Sequence, residues 1–218
     1  MQLPFTEAQF LDLFAAYNTA IWPFHIVMYL LGATAVFGLF REDRVWGRLN
    51  LLILAFMWFW TGVAYHLVFF SRINQAAVFF GALFFFQGIV FLMNGISKKR
   101  LNFRAKREPY DIVGGLFILY AGILYPLLGM LAGHGWPQAP MFGVAPCPVV
   151  IFTFGMLLIF KARISPFIVL VPFLWSLIGM SAAVQLGMYE DFGLPVAGIA
   201  GSAMILLRNR RLKARAAV

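Results

Sequence analysis

Residues 75–107 read QAAVFFGALFFFQGIVFLMNGISKKRLNFRAKR. The first 22 carry no charge, and the next eleven hold six lysines and arginines. A helix needs about 20 mostly apolar residues to cross ~30 Å of hydrocarbon, so 75–96 reads as a membrane span. Working outward with the same ruler gives six more: 20–40, 50–70, 112–132, 148–160, 166–186 and 192–207. The stretch 148–160 is short, and the apolar residues 141–145 before it are expected to dip into the membrane to complete it. The last stretch is also short and rich in small residues. None shows sustained apolar/polar alternation, which argues against a strand-based barrel. The predicted fold class is an all-α integral membrane protein with a seven-transmembrane-helix bundle. Its parts are an amphipathic outer segment 1–19, a membrane domain 20–207 and a basic tail 208–218.

Composition points the same way. Of 218 residues, 62% are hydrophobic and 11% charged, where a soluble domain would carry roughly a quarter charged. The net charge of +9 could suggest a nucleic-acid partner. The charges, however, lie in short runs between apolar segments, so no nucleic acid is expected. Arg41, Arg44 and Arg48 follow the first span, and Lys98, Lys99, Arg100, Arg104, Lys106 and Arg107 follow the third. Lys161 and Arg163 follow the fifth, and Arg208, Arg210, Arg211, Lys213 and Arg215 follow the seventh. Only Arg72 falls on the other side. With sixteen of the seventeen basic residues on one face, the positive-inside rule places the N-terminus outside and the C-terminus in the cytoplasm. An even number of spans would scramble the alternation. The residues Met1-Gln2-Leu3-Pro4-Phe5-Thr6-Glu7 lack a basic run, so no cleavable leader is expected.

Thr6 and Gln9 have capping-box spacing, and Phe10, Phe14 and Tyr17 recur at helical intervals. This segment reads as an outer-surface helix or as a tilted extension of the first span. Ala197 with Gly201, and Gly198 with Ser202, have the small-xxx-small spacing that lets membrane helices approach closely. Pro126 and Pro172 are expected to kink their helices.

This topology sorts the reactive side chains. His25 and His66 fall in the outer leaflet, roughly 7–9 Å from the midplane at ~1.5 Å per residue. His134 lies in the loop after the fourth span, Cys147 opens the fifth, and Glu190 with Asp191 forms the outer loop between the last two. The inner halves of the spans hold no acid, base or histidine, only polar residues such as Thr34, Gln87, Asn94 and Ser202. The acids Glu42, Asp43, Glu108 and Asp111 lie among the basic loops and are expected to pair there. Each outer residue also has a structural reading: His66 bonding at the interface, His25 serving a carbonyl left free by Pro23, His134 solvated, Glu190 and Asp191 capping the last helix. Intramembrane ionisable groups are nevertheless functional candidates, because burying them is costly. Cys147, between Pro146 and Pro148, is expected at a helix cap where free N–H groups favour thiolate; partial burial works the other way. The spacings form no zinc signature.

No Gly-rich phosphate loop precedes a helix. The last span has neither the lysine of a retinal protein nor the paired histidines of seven-helix zinc hydrolases. The segments Tyr65-His66 through Ile73-Asn74 and Ala76-Ala77, Gly133-His134 through Pro146-Cys147-Pro148 and Phe152-Thr153-Phe154-Gly155, Leu174-Trp175-Ser176 through Ser181-Ala182-Ala183, and Glu190-Asp191 carry a resemblance. They resemble an uncharacterised bacterial family of small multi-pass membrane proteins, a domain of unknown function, over most of the chain. Members are sometimes loosely labelled permeases. The resemblance implies the bacterial cytoplasmic (inner) membrane and no particular activity.

Three functions remain open: an outward-facing ligand or metal site, with or without hydrolytic or redox chemistry, a small-molecule permease, or an accessory subunit of a membrane complex. The one-sided chemistry favours the first, facing the periplasm. As a metal site it would use His25, His66, His134 and Cys147 with Glu190 or Asp191, a donor set suited to zinc or copper. The lipid bilayer is the expected surrounding partner, and a homo-oligomer is compatible with the sequence.

Overall fold

Thr6 starts the first helix by a reciprocal exchange with Gln9: Thr6 Oγ1 accepts from the Gln9 N–H at 3.3 Å, and Gln9 Oε1 accepts from the Thr6 N–H at 2.9 Å. In the computed structural model, residues 3–41, 43–96 and 108–215 are described, and among them the chain forms eight helices and no strand. Helix α1 spans Glu7–Ile21 and α2 spans Phe24–Gly38. Between them Trp22 is extended, as the residue before a proline prefers, and Pro23 has no N–H to continue the ladder. The two helices diverge by 85°. The expected span 20–40 is therefore broken at Trp22-Pro23, and α1 does not continue α2 in line.

Helix α3 runs from Arg44 to Arg72. Asp43 caps it, accepting from Val45 N–H and Trp46 N–H at 2.9 Å each. It widens into π-type turns over Thr61–Phe69 and tightens into a 3-10 turn at Phe70–Arg72. Helix α4 spans Ala77–Ile96, and α5 spans Pro109–Leu131 with π-type turns at Tyr120–Leu124. Helix α6 spans Pro146–Ile159, α7 Pro166–Leu186, and α8 Gly193–Arg215 after a 3-10 turn at Tyr189–Phe192.

Helices α3, α4, α5, α7 and α8 are long and apolar enough to cross a membrane, and the bent pair α1–α2 makes up to six. Helix α6 differs. Its 14 residues reach only about 21 Å at ~1.5 Å per residue. Thirteen of them are buried, because a helix apolar on all sides belongs in a core. It packs against α3, α5, α7 and α8. The tightest approach is a glycine crossing. A Cβ added at Gly114 of α5 would lie 2.7 Å from the Gly155 carbonyl oxygen, and one added at Gly155 would lie 2.7 Å from the Gly114 oxygen.

Hydrogen bonds pin the same bundle. Trp58 Nε1 donates to Thr153 Oγ1 at 2.9 Å, joining α3 to α6, and Gln87 Nε2 donates to the Ile168 carbonyl at 3.0 Å, joining α4 to α7. The small residues of α8 face neighbours as their spacing predicts, Gly198 against Ser176 and Gly201 against Phe154.

At the opposite end from α1, Lys161 Nζ lies 2.6 Å from Asp111 Oδ1 and 3.7 Å from Glu108 Oε2. Buried Arg208 donates to the Leu158 carbonyl at 2.7 Å, a cation at a helix C-terminus where the dipole favours it. Asn209 brackets Ile164 through two backbone bonds of 3.0 and 2.7 Å. Helix α8 therefore continues well past residue 207, where the apolar ruler stops and the tail was expected to begin. Of the acids expected to pair, Glu108 and Asp111 do so, while Asp43 caps α3. Residues 1–2, Glu42, the basic run 98–107 and 216–218 lie outside the described residues.

Candidate functional site

The end of the bundle that carries α1 holds a cavity of about 350 Å³, within the ~300–1,000 Å³ usual for small-molecule sites. Its walls come from the segment before α1 and from four helices. Phe5 precedes α1; Phe10 and Phe14 close the cavity from α1, Tyr65 and Phe70 from α3, Phe80 from α4, and Trp175, Ile178 and Ala182 from α7. Asn74, Ala76, Ser181 and Gln185 lie toward the rim. The π-type turns of α3 place Tyr65 among these rings, stacked on Phe14 at 5.1 Å and on Phe70 at 5.4 Å. Wide π-turns often mark functional positions.

The floor is polar. Tyr125 of α5 donates its hydroxyl to Asp191 Oδ1, and both side chains are buried. The Cys147 thiol sits against Asp191, Tyr125 and Trp175, and it lines the cavity with them. Helix α6 begins at Pro146 after the extended Ala145. Cys147 is thus the second residue of the helix rather than its cap: Pro146, with no N–H to offer, takes the first position.

Beside the floor, Glu190 is fully buried and its carboxylate oxygens make no hydrogen bond among the described residues. His134 stands between two acids, with Nδ1 3.6 Å from Glu190 Oε1 and Nε2 3.6 Å from Glu7 Oε1. These are charge-pair distances, too long for hydrogen bonds. The Tyr120 hydroxyl donates to the Glu190 carbonyl at 2.7 Å and fixes the corner from α5.

The two remaining histidines go elsewhere. His25 Nε2 pairs with Asn18 Oδ1 at 3.0 Å, and Asn18 Nδ2 donates to the carbonyls of Pro137 and Ala139 at 2.6 and 2.8 Å. With Asn18 oxygen as acceptor, His25 is the donor, tied to α1 rather than to a carbonyl freed by Pro23. His66 is fully buried among aromatic rings, 4.7 Å from Phe84 and 5.0 Å from Trp175, with neither ring nitrogen hydrogen-bonded among the described residues. It stands behind the cavity wall.

The six residues singled out in the sequence thus fall into three places: Cys147 and Asp191 on the floor, His134 with Glu190 beside it, and His25 and His66 each in separate packing. Among the described residues, no three His, Cys, Asp or Glu side chains are grouped to hold a metal ion. Tyr125 and Asn18 were missed in the sequence. Tyr125 is one residue from Pro126, at the depth of the other outer-half polar groups, which is the one signal that could have found it. Asn18 interrupts the apolar face formed by Phe14 and Tyr17.

A model of DUF6064, described as a family of unknown function, matches residues 7–216. No curated protein and no solved structure matches the chain.

Proposed function

The chain belongs to DUF6064, and from its geometry we propose that it is a seven-span inner-membrane protein that binds a small, largely apolar molecule in the cavity facing the periplasm. The observation that carries this reading is an aromatic cavity of about 350 Å³ with the Asp191, Tyr125 and Cys147 group at its floor. Apolar walls supply affinity and a few convergent polar groups supply orientation, the usual division in a small-molecule site.

Large apolar side chains such as Leu30, Phe79, Ile123, Phe167 and Val184 are exposed on the flanks, which supports a lipid surrounding. The described basic residues at the far end, Lys161, Arg163, Arg208 and Arg210 among them, support an inward-facing C-terminus. Helix α6 is shorter than the hydrocarbon is thick. It supports a seventh crossing nonetheless, because protein surrounds it and irregular backbone is tolerated where protein covers it. A permease reading has less support, since the acids and bases of the described inner halves gather at the membrane edge, in the Lys161 ion pairs and the Arg208 bond to the Leu158 carbonyl.

The test uses the uncharged fluorophore N-phenyl-1-naphthylamine with the protein in lipid nanodiscs. Saturable binding at one site per chain is expected, and Ala182→Trp, which fills the cavity from its wall, should abolish it. Signal no different from empty nanodiscs would remove the reading.

A further inference from the structure

We propose that the cavity takes a lipophilic cation, an amine or quaternary ammonium group carried on an apolar body; this rests on the ligand-binding reading above and names its substrate class. Asp191 is the only charged side chain among the described residues that line the cavity. It is 5% exposed and has no ion-pair partner among the described residues. A carboxylate held out of water without a counter-charge is costly. A cation seated on the floor supplies that counter-charge and itself favours the ionised carboxylate.

The walls decide which cation. Tyr65, Phe80 and Trp175 present aromatic rings to the cavity, and aromatic faces attract organic ammonium groups. A small inorganic ion would need several oxygen ligands, and the lining offers one carboxylate. An apolar wall rewards an apolar body by about 25 cal/mol for each Å² removed from water. A neutral hydrophobe would gain that burial but leave the carboxylate with its Tyr125 hydrogen bond and no counter-charge.

The charge of this end leads the same way. It carries Glu7, Asp12, Glu190 and Asp191 against one basic side chain, Arg72. Arg72 is occupied on its own helix, donating to the Val68 carbonyl at 2.9 Å and lying over the Phe69 ring. His134 lies between Glu7 and Glu190, away from Asp191. A cleft walled by one sign of charge concentrates the opposite ion.

Tetraphenylphosphonium and tetraphenylborate have one shape and opposite charge, so with each ion referred to its own partitioning into empty nanodiscs, which the interfacial dipole potential makes unequal, their comparison isolates the effect of Asp191. Cys147 is the reporter, being the one cysteine in the chain and part of the same floor. In zwitterionic nanodiscs, the phosphonium should slow alkylation of Cys147 by N-ethylmaleimide by about tenfold more than the borate, a ~1.4 kcal/mol preference. Displacement of N-phenyl-1-naphthylamine should rank the ions identically, so the result does not hang on thiol reactivity. Asp191→Asn should erase the difference; the wild-type comparison stands by itself if that variant misfolds. Equal effects of the two ions, or a stronger effect of the borate, overturn the cation and leave the cavity as a binding site. No effect of either ion, with the naphthylamine also unbound, overturns both.

Discussion

Tyr125 donates to Asp191 and both are buried, so removing the donor leaves a carboxylate with less compensation than before. Tyr125→Phe should lower stability by about 1–3 kcal/mol, the cost of an unsatisfied buried acceptor. Thermal unfolding followed by tryptophan fluorescence reads this, and an unchanged midpoint would show that the bond is not stabilising. Asn18 makes a parallel case away from the cavity. Its side chain holds His25 and two loop carbonyls, so Asn18→Ala should cost about 3 kcal/mol, near ~1 kcal/mol for each bond. His25→Ala removes one of those bonds and should cost less. Equal losses would mean that the imidazole, not the amide, organises the loop. His25 and Cys147 were visible in the sequence because histidine and cysteine stand out in an apolar span. Their partners were not, because pairing Asn18 with residue 139 or Tyr125 with Asp191 depends on helix order, which one chain's spacing does not encode.

Among the elements, the crossing of α5 and α6 is decided by glycine. Gly114 and Gly155 meet backbone to backbone, while Gly115 has nothing within 4 Å of an added Cβ. Gly114→Ala or Gly155→Ala should destabilise by about 1–3 kcal/mol, as overpacking does. Gly115→Ala, one residue away, should be neutral or slightly stabilising, since alanine is the better helix former. Similar midpoints for Gly114→Ala and Gly115→Ala would contradict the close crossing. Helix positions were largely legible from apolar length; 166–186 matches α7 to the residue. Three features were not. The π-type turns around His66 and Tyr120 follow from packing, with no composition of their own. The 85° bend hangs on Pro23, whose effect as a turn rather than a kink depends on what α1 rests against. The reach of α8 to Arg215 depends on Arg208 finding a carbonyl on α6, which no hydropathy window can detect.

For the whole molecule, the account joins a one-sided distribution of charge to a cavity at the opposite end. Arg163 is exposed at the basic end of the bundle and Asp12 at the end with the cavity. In a Cys147→Ser background, Arg163→Cys should react with impermeant thiol reagents only in inverted vesicles, and Asp12→Cys only in right-side-out vesicles. Labelling of both from one side would remove the odd number of crossings. The most direct measurement needs no engineered cysteine, because Cys147 is the single cysteine and lines the cavity. The small impermeant reagent trimethylammonium-ethyl methanethiosulfonate is added to right-side-out and to inverted vesicles, and modification is read by intact-protein mass. The account predicts modification of Cys147 in right-side-out vesicles and none in inverted ones, with Ala182→Trp suppressing it. Modification in inverted vesicles alone would place the cavity on the cytoplasmic side and contradict the account.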